Sequence, residues 1–272
     1  MKNLQGGIIL VLALILGVNS AVSKFDLVER AKHMPRELLL AELRTYLSPA
    51  FRSALDDSVI AFLDTTVRDI IKNGYEEWGV PVLDPLSIEH LDLDLNFDQI
   101  KIAGTVDGAG VTGIAGFVVD LIKTNLLQLN VDFGVHVPEI HLTAEHYDID
   151  GELGGLIPVY GNGSLEVFLR GLNITGKITI GTNNSYIYVR QLDLDASFVE
   201  LETHIEGLLG GGELSDLINE VIADIAPDVF EEAKPTLIPI LSEAVVSLAN
   251  EKLDGMTLQD LLNLINGGSK KQ

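Results

Sequence analysis

Three groups of residues have the types and spacing that protein chemistry uses, and the first is a glycine pattern. Gly108, Gly110 and Gly113 match the G-x-G-x-x-G turn of dinucleotide-binding proteins. That turn works inside a βαβ unit, between parallel strands. The strands predicted around it alternate apolar and polar residues, which is typical of an antiparallel sheet with one solvated face. We therefore interpret the glycines as a flexible or bulged segment and not as a nucleotide site.

The second group is the acidic series of residues 92–98 (DLDLNFD), which resembles the start of a calcium-binding loop. Such a loop needs glycine at its sixth position and glutamate at its twelfth. Those positions hold Phe97 and Ala103. The series is better interpreted as the solvated face of a strand.

The third group is a histidine series. His136, His141 and His146 recur every five residues, and strict strand alternation would put His141 on the face opposite the other two. The chain has no H-E-x-x-H helix, and Ser164 does not lie in a G-x-S-x-G turn. The absence of cysteine excludes thiol nucleophiles, disulfides and thiolate metal sites. We predict no catalytic centre, no metal site and no cofactor.

Composition narrows the classes of partner. The chain of 272 residues carries 18 basic and 40 acidic side chains, a net charge of −22. Nucleic acids and anionic membrane surfaces are bound mainly through Lys and Arg, so both are disfavoured as partners. Hydrophobic residues make up 47% of the chain, which is enough for a sizeable core.

The N-terminus has the features of a secretory signal. Lys2 precedes an apolar run over residues 7–18, and Val18 and Ser20 occupy the −3 and −1 positions of a peptidase site before Ala21. The run is shorter than the roughly 20 residues of a membrane-spanning helix, so we prefer a cleaved signal peptide to a retained signal anchor. We predict a signal peptide at residues 1–20, one secreted domain at residues 21–272, and no stable membrane insertion.

Three N-x-[ST] sequons fit the same secretory route. They begin at Asn162, Asn173 and Asn183. Asn162 and Asn183 lie in glycine- and asparagine-rich turn sequences, and Asn173 is flanked by apolar residues that would point to the other side of a strand. We predict N-glycosylation at all three.

The elements that must position these residues follow from the hydrophobic periodicity. Helical spacing predicts helices over residues 36–46 and 49–73, the second stopping at Gly74. Period-two alternation then predicts long strands up to Phe198, the first running unbroken over residues 88–102. Residues 114–123 are also compatible with a helix.

Helical periodicity returns after the strands. It runs over residues 214–253, includes three prolines and ends at Asp254 and Gly255. Thr257 and Asp260 then resemble a capping box for a last short helix. The order of helices, strands and helices predicts an α+β fold. Long strands that are apolar on one side must twist and can enclose an elongated apolar interior, which either packs solid or holds a ligand.

Four segments, taken together, resemble one protein family. They are residues 80–86 (VPVLDPL), 137–142 (VPEIHL), 147–151 (YDIDG) and 156–163 (LIPVYGNG). In this order and spacing they are similar to the insect takeout and haemolymph juvenile-hormone-binding proteins, over about residues 35–262. A mite allergen family of the same architecture agrees less well.

The resemblance implies the tubular lipid-binding fold, in which a long curved antiparallel sheet wraps around a long helix, with extra N- and C-terminal helices. It also implies secretion and non-covalent carriage of a fatty acid, terpenoid or similar ligand in an internal tunnel. The chain departs from the family in one respect, because those proteins usually carry a disulfide near the mature N-terminus and this chain has no cysteine.

The family motifs are turns and give no ligand contacts, so the predicted lining rests on the apolar pattern. Its members are Phe62, Val67, Trp78, Val131, Phe133, Leu142, Tyr147, Leu241 and Val245. Trp78 and Tyr147 would each bring a polar tip to an apolar setting.

The leading hypothesis is a secreted, non-enzymatic carrier of a small hydrophobic ligand. Three alternatives stay open at this stage: a surface-active or defence protein of the same fold that binds lipid assemblies, an interaction protein with a filled core, and a secreted hydrolase.

Overall fold

The computed structural model describes residues 49–76, 79–97, 100–125, 128–153, 157–184, 186–257 and 260–261. The predicted signal peptide, the predicted helix at 36–46, Trp78 and most of the last predicted helix lie outside these residues.

A nearly continuous helix opens the described chain and confirms the prediction for residues 49–73. Helix α1 is Pro49–Phe62, a π-helical segment is Leu63–Val67, and α2 is Arg68–Asn73. In the π-helical segment the Thr65 hydroxyl donates to the carbonyl of Ala61, in the last turn of α1, at 2.7 Å, a bond that competes with regular helical pairing.

Seven strands form one antiparallel sheet, which confirms the α+β class. They are β1 Leu86–Phe97, β2 Ile100–Thr112, β3 Val118–Asn125, β4 Asn130–Leu153, β5 Ile157–Asn183, β6 Tyr186–Ser197 and β7 Glu200–Ile205. The order across the sheet is β1-β2-β4-β5-β6, with β3 also paired to β4 and β7 to β5. Antiparallel pairing of β2 with both neighbours leaves Gly108 and Gly110 inside a strand and outside any βαβ unit.

Two predictions for this region are wrong. The strand expected over residues 88–102 is a hairpin, in which β1 ends at Phe97, β2 begins at Ile100, and these two residues pair. The apolar alternation changes phase between them, and that shift marks the turn. Residues 114–123 form a short 3₁₀ turn followed by β3 rather than a helix.

The alternation of side chains between the two faces of the sheet shifts by one residue at two places inside β4, and we call each shift a reset. The prediction that His141 lies on the face opposite His136 and His146 is therefore wrong. Val137 and Ile140 contact the same hydrophobic cluster although they are three residues apart. Between them lies Pro138, which lacks an N–H, and Gly171 of β5, opposite Pro138, has φ +64°. A second irregularity lies between Ala144 and Tyr147. The two resets put His136, His141 and His146 on the same polar face.

The packed core forms two clusters at opposite ends of the long strands. The first contains residues of α1, α2, β3 and the C-terminal part of the last helix, together with the half of the β4–β5 pair that begins at Asn130 and Thr179. The second is smaller and is centred on Val106, Ala144 and Tyr147. Leu91 and Leu93 contact the second cluster, while Asp92 and Asp94 are exposed, as expected for the solvated face of a strand.

The last helix, α3, is Glu213–Leu253. Its 41 residues correspond to about 62 Å. Pro227, Pro235 and Pro239 lie within it, so the prolines punctuate the sequence pattern without ending the helix. Asn250 fixes its C-terminal part to β6 through hydrogen bonds with the backbone N–H and carbonyl of Val189. The Thr257–Asp260 capping box forms as predicted, with mutual bonds of 2.7 to 3.2 Å.

One partly buried contact ties the first helix to the sheet and generates a prediction. The Asp56 carboxylate accepts bonds from the backbone N–H and the hydroxyl of Thr124, at 2.8 and 2.7 Å. Removing it in Asp56→Ala leaves both donors without that partner, so we expect the free energy of unfolding to fall by about 1–3 kcal/mol. Chemical denaturation measures this. The matched control is Asp57→Ala, an exposed neighbour, and an equal loss in both variants would contradict the assignment.

Candidate functional site

The inner face of the sheet carries apolar side chains that neither packed cluster includes. Leu142 lies between Ile140, which contacts the first cluster, and Ala144, which belongs to the second. Across the sheet it pairs with Val111 of β2 and Val167 of β5. Two residues further along β5, Leu169 pairs with Leu201 of β7. All five are only half-buried, and we call this set the central strip.

Helix α3 lies over one side of this inner face. Thr203 of β7, the partner of Val167 in the sheet, donates through its hydroxyl to the carbonyl of Asn219 at 3.2 Å. The side chain of Asn219 accepts from the N–H of Ile205 at 2.9 Å and donates to its carbonyl at 3.0 Å. The Ser215 hydroxyl also donates to that carbonyl, at 2.9 Å. These bonds fix the start of α3 on β7, beside the central strip.

A different side of α3 carries a second apolar surface. Its members follow helical i, i+3 and i+4 spacing and are between 41% and 54% exposed: Leu214, Leu217, Val221, Ile225 and Val229. We call this set the α3 stripe. Its angular position around the helix differs from that of Ser215 and Asn219, which contact β7, because residues two apart on a helix do not share a face.

Tyr147 is the most deeply buried residue of the second cluster. Its ring is 1% exposed, and its hydroxyl donates to the carbonyl of Glu206 at 2.5 Å. Burial raises the pKa of this phenol above its ordinary value, and the negative charge of Glu206 acts in the same direction. A Cβ added at Gly161 would lie 2.8 Å from the hydroxyl, so the glycine makes room for it. The polar tip of Tyr147 is therefore already bonded within the protein.

The residues predicted to line a ligand site fall into four environments. Five lie in the first cluster, each at most 6% exposed: Phe62, Val67, Val131, Phe133 and Val245. Tyr147 closes the second cluster, Leu142 lies in the central strip, and Leu241 is 47% exposed on α3. Trp78 lies outside the described residues. The structure thus brings five of the nine together as packed core and puts only Leu142 in the central strip.

Four members of the central strip were not among the predicted residues. Val167 and Leu169 belong to an alternating run that the sequence shows clearly, and Val111 and Leu201 are found only through strand pairing. The signal for Val167 was its position in that run. No sequence signal gives its alignment with Leu142, because residues 25 positions apart meet only through strand register.

The polar face of the sheet holds ion pairs between neighbouring strands. Arg170 of β5 bonds Glu139 of β4 at 2.9 Å and Glu202 of β7 at 2.7 Å. The hydrogen bond from Arg170 lowers the pKa of Glu202, and the same bond raises the pKa of Arg170. His141 bonds Glu166 at 2.8 Å and stacks on Phe168 at 4.3 Å.

These pairs connect strands and do not gather ligands for a metal. Across the part of the chain that the structure describes, no three acidic or histidine side chains are placed to hold a metal ion. Hydrogen bonds to Asp107, and then to Asp92, raise the pKa of His90, an exposed residue of β1.

The family follows from comparison with known proteins. Residues 31–263 match the model of the family described as haemolymph juvenile hormone binding protein. The chain belongs to this family. The resemblance predicted from the four sequence segments is thereby confirmed.

Solved structures support the same fold for this juvenile hormone binding protein family member. It is similar to Takeout 1 of Epiphyas postvittana, with a TM-score of 0.55 and 16% identity over 74% of this chain and 93% of that chain. A lipopolysaccharide binding protein matches at a TM-score of 0.33 and 14% identity, over 65% of this chain and 36% of that chain, and we base nothing on it. No curated protein sequence matches.

A helix that spans a membrane needs about 20 consecutive, mainly apolar residues. Within the described ranges no helix has both the length and the apolar character that crossing a bilayer would take, and this includes the 41-residue α3.

The bonded hydroxyl of Tyr147 generates a prediction about stability. Tyr147→Phe leaves the Glu206 carbonyl without its donor, so we expect the free energy of unfolding to fall by about 1–3 kcal/mol. Ligand affinity should not change, because the hydroxyl is already engaged. Tyr160→Phe, at a 46% exposed position, is the matched control.

The raised pKa of Tyr147 adds a pH dependence with a defined sign. The folded protein retains the phenolic proton above the unfolded pKa of 10.0, so this contribution to stability is complete below pH 10 and is lost as the pH rises through the folded pKa. The stability difference between wild type and Tyr147→Phe should therefore shrink above pH 10. A constant difference from pH 8 to 11 would contradict the assignment.

Proposed function

We propose that the protein is a non-enzymatic carrier of a small hydrophobic ligand, such as a fatty acid or terpenoid. The ligand lies against the central strip, between the sheet and α3. The observation that carries this proposal is the incomplete burial of Val111, Leu142, Val167, Leu169 and Leu201 in the middle of an otherwise packed inner face.

The physical argument is that apolar surface left in contact with water is unfavourable by about 25 cal/mol per Å². The clusters at both ends of the strip bury comparable side chains almost completely, with Ile178 at 0% and Tyr147 at 1% exposure. A protein without a ligand would be more stable if side chains also packed against the central strip. The name of the family, which refers to binding of juvenile hormone, supports the same class of ligand.

Secretion, the single domain of residues 21–272 and N-glycosylation belong to the proposal too. All three predicted acceptors, Asn162, Asn173 and Asn183, are exposed on β5. A glycan needs an accessible asparagine side chain, and the exposure of these three meets that requirement. The apolar N-terminal run supports secretion. Without cysteine the fold has no disulfide, so its stability must depend on its core.

No specific feature of the described residues supports any of the three alternatives that the sequence left open. A protein that binds lipid phosphates would present basic surface, whereas this chain has a net charge of −22. A protein with a filled core would not leave the central strip half-buried. For a hydrolase, no histidine bonds a serine or threonine hydroxyl among the residues that the structure describes, since the histidine bonds found there go to carboxylates, and we propose no enzymatic activity.

The direct test is ligand content and uptake. Native mass spectrometry and organic extraction of protein from its natural source should find about one lipid-like molecule per chain, and the stripped protein should bind a fluorescent fatty acid. Protein that contains no lipid and takes up neither fatty acids nor terpenoids would overturn the carrier function.

A variant pair locates the ligand. Leu142→Glu puts a charge on the central strip, where a bound apolar chain would remove it from water, so we expect fatty-acid affinity to fall by about tenfold or more. The matched control is Val199→Glu at a 77% exposed position, which should bind normally. Leu142→Trp, which fills the space without adding charge, should weaken binding as well. Normal affinity in both folded Leu142 variants would place the ligand elsewhere.

A further inference from the structure

Beside the α3 stripe runs a row of carboxylates with the same helical spacing. Asp216, Glu220, Asp224 and Asp228 are separated by four residues each, so they form a ridge along one flank of the stripe. All four are exposed. None of them forms an ion pair within the ranges that the structure describes.

We call these four residues the acidic row. The side of the row that faces away from the stripe borders a cleft of about 530 Å³ between α3 and β7. Asp216 and Glu220 line it from the helix, and Glu200, Glu202 and Glu206 line it from β7 and the turn that follows. Two basic groups are already engaged at this edge: Arg170 is bonded to Glu202 and Glu200 at 2.7 and 3.3 Å, and His204, which also lines the cleft, is bonded to Glu202 at 3.0 Å. The cleft therefore offers negative charge from two elements and has room for long cationic side chains.

We propose that this side of α3 is a docking surface for a partner protein that presents a basic amphipathic helix. The apolar residues of the partner cover the α3 stripe, and its Lys or Arg side chains lie along the acidic row and reach into the cleft. The stripe extends from Leu214 to Val229. At 1.5 Å per residue this length is roughly 23 Å, which matches a partner helix of about four turns.

Charge complementarity selects this occupant over others. A fatty acid or an anionic membrane would be repelled by the acidic row, and a second copy of this chain would bring its own acidic row against the first. An apolar surface alone would accept many partners. Because the acidic row lies on one side of the stripe, it fixes the orientation in which a basic helix can bind. Exposed ion pairs of this kind are screened by salt, so the affinity should fall as ionic strength rises.

The experiment uses the full chain and a defined probe. The probe is a fluorescently labelled 18-residue peptide of leucine and lysine, with leucine at i, i+3, i+4 and i+7 positions, and its control has the same composition in scrambled order. Fluorescence anisotropy at low salt should show that the patterned peptide binds more tightly than the scrambled one. The difference should shrink at high salt.

Two double variants and their controls locate the surface. Asp224→Lys with Asp228→Lys, and separately Leu217→Gln with Val221→Gln, should each weaken peptide binding by about tenfold. Asp148→Lys with Asp150→Lys, two exposed acids on β4, and Val199→Gln should leave it unchanged. Equal effects of the stripe variants and the controls would overturn the proposal.

Fatty-acid uptake separates this surface from the proposed carrier site. The stripe variants should retain uptake, because the stripe lies on a different side of α3 from the residues that contact β7. Loss of uptake in Leu217→Gln with Val221→Gln would assign the stripe to the ligand. A dimer in sedimentation that this variant abolishes would assign it to a second copy. Either outcome would overturn the docking proposal and leave the carrier function to its own test.

Discussion

The structure depends on one interaction, the continuous backbone pairing of β4 with β5. These strands have 24 and 27 residues and pair from Asn130 with Thr179 to Leu153 with Ile157. Every other strand except β1 pairs with one of the two, and β1 joins through β2. Such a ladder keeps an apolar inner face only because the alternation resets at Pro138 and again between Ala144 and Tyr147. Without these resets the apolar residues would move to the polar face halfway along.

The length of that ladder explains why the core is divided. Helices α1 and α2 and the end of α3 cover one end of the inner face, and the second cluster closes the other around Tyr147. Beside the middle lies the start of α3, which polar bonds of Ser215, Thr203 and Asn219 fix to β7. A helix positioned by polar contacts at its start and by packing at Val245 and Ala249 can span an unfilled apolar interior between them.

The sequence predicts the elements better than it predicts the site. The helix at 49–73, the antiparallel sheet and the Thr257–Asp260 cap follow from local patterns, and so they were predicted. The hairpin at Phe97 was missed because the apolar alternation continues on both sides of the turn with only a change of phase. Val131 and Leu142 look alike in their alternation, yet one is packed core and the other half-buried. Their difference depends on which helices pack against each part of the sheet, and the alternation within one strand carries no signal for that packing.

The central claim is that a ligand occupies the middle of the inner face, and nuclear Overhauser contacts test it most directly. The measurement uses isotope-edited spectra of the protein with a ¹³C-labelled fatty acid and assigned methyl groups. Contacts from the acyl chain to the methyl groups of Leu142, Val167 and Leu169 are the predicted result. A bound fatty acid whose contacts are confined to other methyl groups, such as those of Leu217 and Val221, would contradict the account.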